Sequence, residues 1–110
     1  MALEINERKY NSNPLLELVG RVVDVDVKKL ARKLESIYKK NPSSIIIDVT
    51  RTNFMDSHGL GIIVYYHTRM QSENKKVIVL NANTNPRSYI NRLFELTNLN
   101  KVLNVVQELR

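Results

Sequence analysis

The sequence has 110 residues, of which 43% are hydrophobic and 25% charged, and its formal net charge is +6. This length and composition are typical of one folded domain and exclude collagen-like, low-complexity and fully disordered chains. The absence of cysteine excludes a disulfide framework, thiolate metal sites and thiol catalysis. Because no apolar run approaches the ~20 residues that span a bilayer, and residues 1–4 lack signal-peptide features, we expect one cytoplasmic domain over residues 1–110.

The first 22 residues predict a pair of strands. Leu3 and Ile5 alternate with polar neighbours, which predicts an edge strand that ends near Tyr10. The turn-forming residues that follow predict a chain reversal. Residues 15–22 predict a second strand, in which Gly20 marks a bulge or a close backbone approach.

The next segment predicts an amphipathic helix. Apolar residues recur at helical spacing from Val27 to Tyr38, and Asp24 or Asp26 is expected to cap the helix at its start. Six of the 17 Lys and Arg residues lie within residues 28–40, on the opposite face of this helix. We interpret this face as solvated and able to attract an acidic protein. No aromatic side chain is interleaved there for stacking on bases, so direct nucleic-acid binding is not expected.

Two short apolar runs, at residues 45–49 and 76–80, predict interior strands buried on both faces, with helices above and below them. Between them Ile63, His67 and Met70 share one helical face, which predicts a crossover helix between parallel strands. His67 lies in the middle of this stripe and is expected to be a buried, neutral histidine with a local hydrogen bond.

The last third of the chain predicts a short helix and a final strand. Pro86 suits a first helical position, with Asn85 or Thr84 as the cap. Ile90 gives the helix its apolar side, and residues 102–106 predict the last strand. The sequence therefore predicts an α/β domain with a mixed sheet of about five strands and interleaved helices.

The segment NFMDSHGLG, residues 53–61, carries the candidate functional site. It follows a buried strand and opens the crossover helix, where unpaired amides and partial positive charge favour anions. Ser57 would be exposed and rigid there, and a phosphate on it would add about −1.5 to −2 charges. The alternative is that Asp56 and Ser57 form an ordinary N-cap, while Gly59 and Gly61 let the helix approach a neighbour.

Catalysis, cofactor binding and metal binding are not expected. A nucleophile elbow needs glycine two residues before the serine, where this chain has Met55. His58 would point about 100° away from Ser57 around a helix, so it would not serve as its general base. The two histidines lack a carboxylate at ligand spacing, and no glycine-rich phosphate loop is present.

The crossover helix also carries a second apolar face. Ile62 and Tyr65 lie opposite the predicted core stripe, and Tyr66 lies on its flank. A chain this short would hardly bury every side of one helix, so this face predicts a partner surface beside Ser57.

Residues 54–61, FMDSHGLG, directly after IIIDV at residues 45–49, resemble the signature of the STAS domain family. More narrowly, the chain is similar to the stand-alone bacterial anti-sigma factor antagonists. The resemblance covers nearly the whole chain, including Gly20 and the late run RLFELTNL at residues 92–99. It implies one STAS domain over residues 1–110, with the C-terminal helix of the family shortened to residues 107–110.

The resemblance implies partner switching. Members of this family bind an anti-sigma factor that is also a serine kinase with the histidine-kinase-like ATPase fold, and binding frees the sigma factor for transcription. The kinase phosphorylates the serine at the position of Ser57, the complex dissociates, and a metal-dependent serine phosphatase resets the cycle. No membrane partner is implied, and we expect a monomer or weak dimer.

Carried onto this sequence, the resemblance assigns two groups of residues around Ser57. Those expected to support the phosphorylation site are Asp56, His58 and Gly59. Those expected to bind the partner are Asp24, Asn53, Phe54, Met55, Ile62, Tyr65 and Tyr66.

Two departures from the family pattern lie near the predicted site. His58 stands where relatives usually have a small residue, and Val23 stands where many carry an aspartate, with Asp24 one residue later. They leave open an alternative function, in which a STAS-fold scaffold or small-ligand-binding module acts without a kinase.

Overall fold

The computed structural model of the protein describes residues 3–109. Within this range the chain forms six strands, three α-helices and one short 3₁₀ helix at Leu99–Lys101. In chain order the strands and α-helices are β1 (Glu4–Tyr10), β2 (Asn13–Val22), α1 (Val25–Tyr38), β3 (Ser44–Asp48), β4 (Thr52–Met55), α2 (Ser57–Gln71), β5 (Lys76–Leu80), α3 (Tyr89–Thr97) and β6 (Asn104–Val106).

The strands form one mixed sheet in the order β1-β2-β3-β5-β6, with β4 paired to β2 beside this path. Strands β1 and β2 make an antiparallel hairpin, and all the other pairings are parallel. The predicted α/β class, the hairpin and the crossover from β3 through α2 to β5 are therefore confirmed. The sheet has six strands within residues 3–109, where the sequence predicted about five.

Strand β4 is the element that the sequence did not predict, since its residues were only expected to connect a buried strand to the crossover helix. Strand β2 is long enough to pair first with β3 and then, from Gly20 onward, with β4. The register shifts between Gly20 and Arg21, as a bulge would require, and a bulge is one of the two alternatives that the sequence predicts at Gly20. Gly20 has φ 102°, a conformation that glycine adopts without strain, and its amide donates to the Arg51 carbonyl at 3.1 Å.

The helices cover only one face of the sheet. Side chains from all three helices share one buried cluster with Ile45 and Ile47 of β3, whereas Ile46 between them lies on the opposite face. There Ile46 lines a groove with Ile78 and Val106, bordered by the β1–β2 hairpin and residues 107–109. The prediction of helices above and below β3 was therefore wrong, because the hairpin and the chain after β6 border the second face.

Helix α3 begins three residues later than predicted. Ser88 is its N-cap, and the Ser88 hydroxyl accepts a hydrogen bond from the Asn91 amide at 3.3 Å. Pro86 lies before it, in a segment whose amides bond to the side chain two residues earlier. These bonds are Asn83 to Asn81, Asn85 to Asn83 and Arg87 to Asn85. Because side chains satisfy this backbone, the segment is stable without being helical.

Other local predictions had mixed outcomes. Asp24 occupies the N-cap position of α1 with φ 50°, but its side chain makes no capping hydrogen bond. His67 is buried as predicted, yet its Nδ1 has no hydrogen-bond partner within residues 3–109. Residues 107–109 form no helical turn, and Arg110 lies outside the described residues. Within the described chain, no helix is long and apolar enough to cross a membrane.

Candidate functional site

Asp56 opens α2 as its N-cap. Its backbone is extended, and its carboxylate accepts a hydrogen bond from the Gly59 amide at 2.9 Å. The Asp56 amide donates to the Val22 carbonyl at 3.1 Å, which ties the start of α2 to the end of β2. The bond from the Gly59 amide lowers the pKa of the Asp56 carboxyl below its ordinary value, so the carboxylate carries a fixed negative charge near neutral pH. The predicted N-cap is confirmed.

Ser57 is the first residue of α2 and is exposed. Within residues 3–109 its hydroxyl has no hydrogen-bond partner, so the hydroxyl faces solvent at the end of the helix where backbone amides are unpaired. A phosphate placed there would be favoured by the helix dipole. The phosphate would also lie next to the Asp56 carboxylate, whose negative charge would repel it.

Gly59 lets the first turn of α2 approach the sheet closely. A Cβ at this position would lie 2.8 Å from Val22 Cγ1 and 3.0 Å from Met55 Cγ. A Cβ on Gly61 would meet nothing within 4 Å. Of the two glycines expected to allow close packing, Gly59 alone has that role in the described structure.

Two residues that the sequence did not single out hold β4 in place. The Tyr89 ring of α3 packs 5.2 Å from the Phe54 ring, and its hydroxyl donates to the Met55 carbonyl at 2.9 Å. The Arg21 guanidinium of β2 lies 4.7 Å from the centre of the same Phe54 ring. Neither Arg21 nor Tyr89 belongs to a motif. Arg21 contacts Phe54 because β2 pairs with β4, and Tyr89 does so because α3 packs on β4, and the sequence revealed neither contact.

Met55 and Tyr66 do not belong to the surface that was predicted to bind a partner. Met55 is 2% exposed and belongs to the core. Tyr66 is 4% exposed, and its hydroxyl donates to the Glu35 carboxylate of α1 at 2.6 Å. Burial is the larger cause of the raised pKa of Tyr66, followed by this hydrogen bond. Both assignments are corrected. Tyr66 is buried against α1, and Met55 is directed into the core because its segment forms a strand of the sheet.

The other predicted residues are accessible and fall into separate groups. Asp24, His58 and Ile62 line one groove of about 480 Å³ between the first turns of α1 and α2, next to Ser57. The start of α1 is joined to the α2 cap there, because the Asp24 amide donates to the Asp56 carboxylate at 3.4 Å.

Asn53 and Phe54 lie on β4, outside the residues that line this groove, and Phe54 is half-buried. Tyr65 is 53% exposed and also lies outside the groove lining. Its ring packs at right angles to that of Tyr66, with centres 5.0 Å apart. The structure therefore groups Asp24, His58 and Ile62 with Ser57 and leaves the other accessible residues around that group.

The two histidines of α2 lie in different surroundings. Within residues 3–109, no three His, Asp or Glu side chains lie close enough together to hold a metal ion. His58 is exposed and lines the groove, while His67 is buried in the core side of α2. Around Ser57 the arrangement presents an accessible hydroxyl, an ionised carboxylate and a shallow groove.

Comparison with known proteins identifies the family of the chain. The model of the STAS domain family matches residues 4–110. The chain belongs to this family. A search of curated proteins finds no significant match to this STAS domain.

Solved structures with the same fold include anti-sigma factor antagonists. One from Mycobacterium paratuberculosis is 17% identical, with 98% of this chain and 88% of that chain covered and a TM-score of 0.79. The anti-sigma factor antagonist SpoIIAA in its unphosphorylated form is 19% identical, with coverages of 97% and 90% and a TM-score of 0.72. The Bacillus cell fate determinant SpoIIAA in its phosphorylated form is 19% identical, with coverages of 97% and 93% and a TM-score of 0.68. These identities establish a common fold.

Proposed function

We propose that this STAS domain is an anti-sigma factor antagonist that binds an anti-sigma serine kinase and is released when Ser57 is phosphorylated, thereby regulating sigma-factor-dependent transcription. The observation that carries the proposal is the exposed Ser57 hydroxyl at the first position of α2, beside a groove. It is supported by the likeness in fold to SpoIIAA, which was solved in unphosphorylated and phosphorylated forms.

The charges around Ser57 explain how phosphorylation would end binding. The Asp56 carboxylate is ionised, and exposed Asp24 is bonded to it through its amide. A phosphate would add about −1.5 to −2 charges to this acidic corner, in an interface that also has to cover apolar Ile62. A loss of only about 3 kcal/mol would weaken binding more than a hundredfold. Because the helix dipole favours the phosphate, the modified protein would stay folded.

The remaining site residues then have distinct roles. Asp56 fixes the turn that presents Ser57, and Gly59 lets that turn rest on β2. His58 and Ile62 form the groove wall that the kinase would contact. A metal-dependent serine phosphatase would restore the hydroxyl, and the domain itself would perform no catalysis. In this proposal it acts in the cytoplasm, through protein partners and not through DNA.

A second candidate function rests on the groove itself. Val25, Val27 and Ile62 give it an apolar wall, which a small molecule would also contact. A domain of this kind would retain a ligand through purification and would leave Ser57 unmodified.

The test is the intact mass of the protein after incubation with ATP and each candidate anti-sigma kinase of the same genome. We expect a gain of one phosphate that Ser57→Ala abolishes. Ser72→Ala is the matched control, because Ser72 is an exposed serine at the other end of α2 and should not affect phosphate uptake. Ser57→Asp should weaken binding of the same kinase at least a hundredfold. Phosphate uptake by Ser57→Ala, or undiminished binding of Ser57→Asp, would contradict the proposal.

A further inference from the structure

Helix α1 presents a row of cations without carboxylate partners. Lys28, Arg32 and Lys39 are exposed, and at 100° per residue they fall within about 40° of one another around the helix. Within residues 3–109, none of the three has an oxygen of an acidic side chain within ion-pair distance. We call these three residues the α1 cation row.

Two neighbouring cations within α1, Lys29 and Lys33, have partners of their own, which sets the row apart. Lys33 pairs with Glu7 of β1 at 2.5 Å, and Lys29 Nζ donates to the Leu3 carbonyl at 3.0 Å. Lys39 lies close enough to Glu35 to help lower the pKa of that carboxyl, but Glu35 already accepts from Tyr66 and Arg69. Glu35 lies on the same side of α1 between Arg32 and Lys39, so it offsets part of their charge. The row keeps a net positive charge that ion pairs within the described part of this chain do not neutralise.

The row begins at the site of the proposed switch. Lys28 lines the groove next to Ser57 together with His58 and Ile62. From there to Lys39 the row extends about 16 Å along α1 at 1.5 Å per residue. Val25, at the same end, is 73% exposed and lines the same groove. A partner bound in the groove would thus contact the apolar side chains of Val25 and Ile62 there, and its adjoining surface would face the α1 cation row.

We infer that the α1 cation row is a second docking surface for the partner that binds at Ser57, and that this partner meets it with an acidic surface. The inference rests on the proposed function, because the partner is the kinase. Charge complementarity identifies the chemistry: carboxylates about 6 Å and then about 10 Å apart on the partner would face Lys28, Arg32 and Lys39 in turn. The groove positions the kinase at Ser57, and the row increases its rate of encounter.

The surroundings of the row favour a protein over a membrane or a nucleic acid. The apolar residues of α1, from Val27 to Ile37, are packed in the core, so the helix has no apolar face left to enter a bilayer. No aromatic side chain stands in the row for stacking on bases. Exposed Val25 adjoins Lys28, and a protein surface would bury this apolar side chain whereas a phosphate backbone would not.

The experiment compares two triple variants of equal net charge. Lys28→Gln, Arg32→Gln and Lys39→Gln together remove the row. Lys9→Gln, Arg87→Gln and Lys101→Gln together remove three exposed cations elsewhere and serve as the control. Association rates with the kinase that phosphorylates Ser57 are measured at about 50 mM and about 300 mM salt, which shortens the screening length about 2.4-fold.

We expect the row variant to associate about tenfold more slowly at low salt and within about twofold of the unaltered protein at high salt. The control variant should change the association rate less than threefold at either salt concentration. Its three charges lie away from the row, and net charge alone affects association weakly. Equal losses in both variants, or a row variant with unaltered association, would overturn the inference.

The outcomes separate this inference from the proposed function. Unaltered association of the row variant together with phosphorylation of Ser57 would reject the row and leave the switch. A failure of every kinase to modify Ser57 would reject the switch, and the row would then be judged with three probes: a short poly-glutamate peptide, a short DNA duplex and phosphatidylglycerol vesicles. Loss of peptide binding in the row variant alone would support an acidic protein partner. If the row variant lost binding only to the duplex or only to the vesicles, the inference of an acidic protein partner would be overturned.

Discussion

Gly59 and Gly61 lie two residues apart in α2 and are predicted to respond to alanine with opposite signs. A Cβ on Gly59 would press on Val22 and Met55, both buried, and would lie 3.3 Å from the Val22 carbonyl oxygen. We expect Gly59→Ala to lower the free energy of unfolding by about 1–3 kcal/mol, as overpacking does. Gly61→Ala meets open space and should raise it by about 0.5–1 kcal/mol, because alanine favours the helix.

Urea denaturation followed by circular dichroism measures both changes, and each variant is the control for the other. The two substitutions add the same methyl group to the same helix, so a difference in sign reports their surroundings. If both variants were stabilised, the first turn of α2 would not rest against β2 and β4 in solution.

Some properties of the site residues could be predicted from the sequence, whereas the burial of others could not. Asp56 was correctly predicted to be an N-cap, and Ser57 was correctly predicted to be exposed at the start of the helix. Both properties depend only on residues close in sequence. Tyr66 and Met55 were wrongly assigned to the surface, because their exposure depends on neighbours that are distant in sequence. Glu35 of α1 accepts the Tyr66 hydroxyl, and this contact spans 31 positions of the chain.

At the scale of the element, α2 depends on its N-cap, and this dependence is predicted to vary with pH. Asp56→Ala removes the acceptor of the Gly59 amide and should lower the free energy of unfolding by about 1 kcal/mol at neutral pH. The pKa of Asp56 is lower in the folded protein, so its charge contribution is complete above about pH 4 and is lost as the pH falls through the folded-state pKa.

Urea denaturation at about pH 7 and about pH 2.5 checks this prediction. The difference between the unaltered protein and Asp56→Ala should shrink at the lower pH, where the carboxylate is protonated. Asp56→Asn is the control, since asparagine caps helices about as well as aspartate and does not ionise. If the free energies of unfolding of the unaltered protein and of Asp56→Ala differed by the same amount at both pH values, the charge of Asp56 would contribute nothing to the cap.

The elements that the sequence predicted are those whose pattern is contained within the segment. The 3.6-residue spacing in α1 and the apolar run of β5 each define their element directly. Strand β4 lacked such a signal, because its four residues pair only with the part of β2 that continues past Gly20. The start of α3 was missed for a related reason, since successive asparagine side chains bond the backbone before Ser88 and delay the helix.

For the molecule as a whole, the one-sided placement of the helices was the largest difference from the predicted architecture. The run of isoleucines in β3 was correctly interpreted as buried, since Ile46 is 1% exposed and Ile47 is 0% exposed. A run of buried residues does not reveal what covers each face. Helices cover Ile47, whereas Ile46 faces a groove bordered by the hairpin and residues 107–109.

This difference predicts unequal costs for the same substitution at adjacent positions. Ile47→Ala would leave a closed cavity among packed helices and should lower the free energy of unfolding by about 3–4 kcal/mol. Ile46→Ala would enlarge a groove of about 530 Å³ that is open to solvent, where water and the groove walls can adjust. Its cost should be smaller by about 1–2 kcal/mol, because the cost of such a deletion depends on how well the site can collapse.

Equilibrium urea denaturation of both variants measures the difference, and the pair controls for strand propensity because the residue type, strand and replacement are identical. Burial alone predicts equal costs, since both side chains are almost completely inaccessible. Equal costs would therefore mean that the second face of the sheet is packed as tightly in solution as the helix-covered face. A smaller cost for Ile46→Ala would show that the stability of this STAS domain resides mainly in the layer between the sheet and its three helices, the layer on which the first turn of α2 and Ser57 are built.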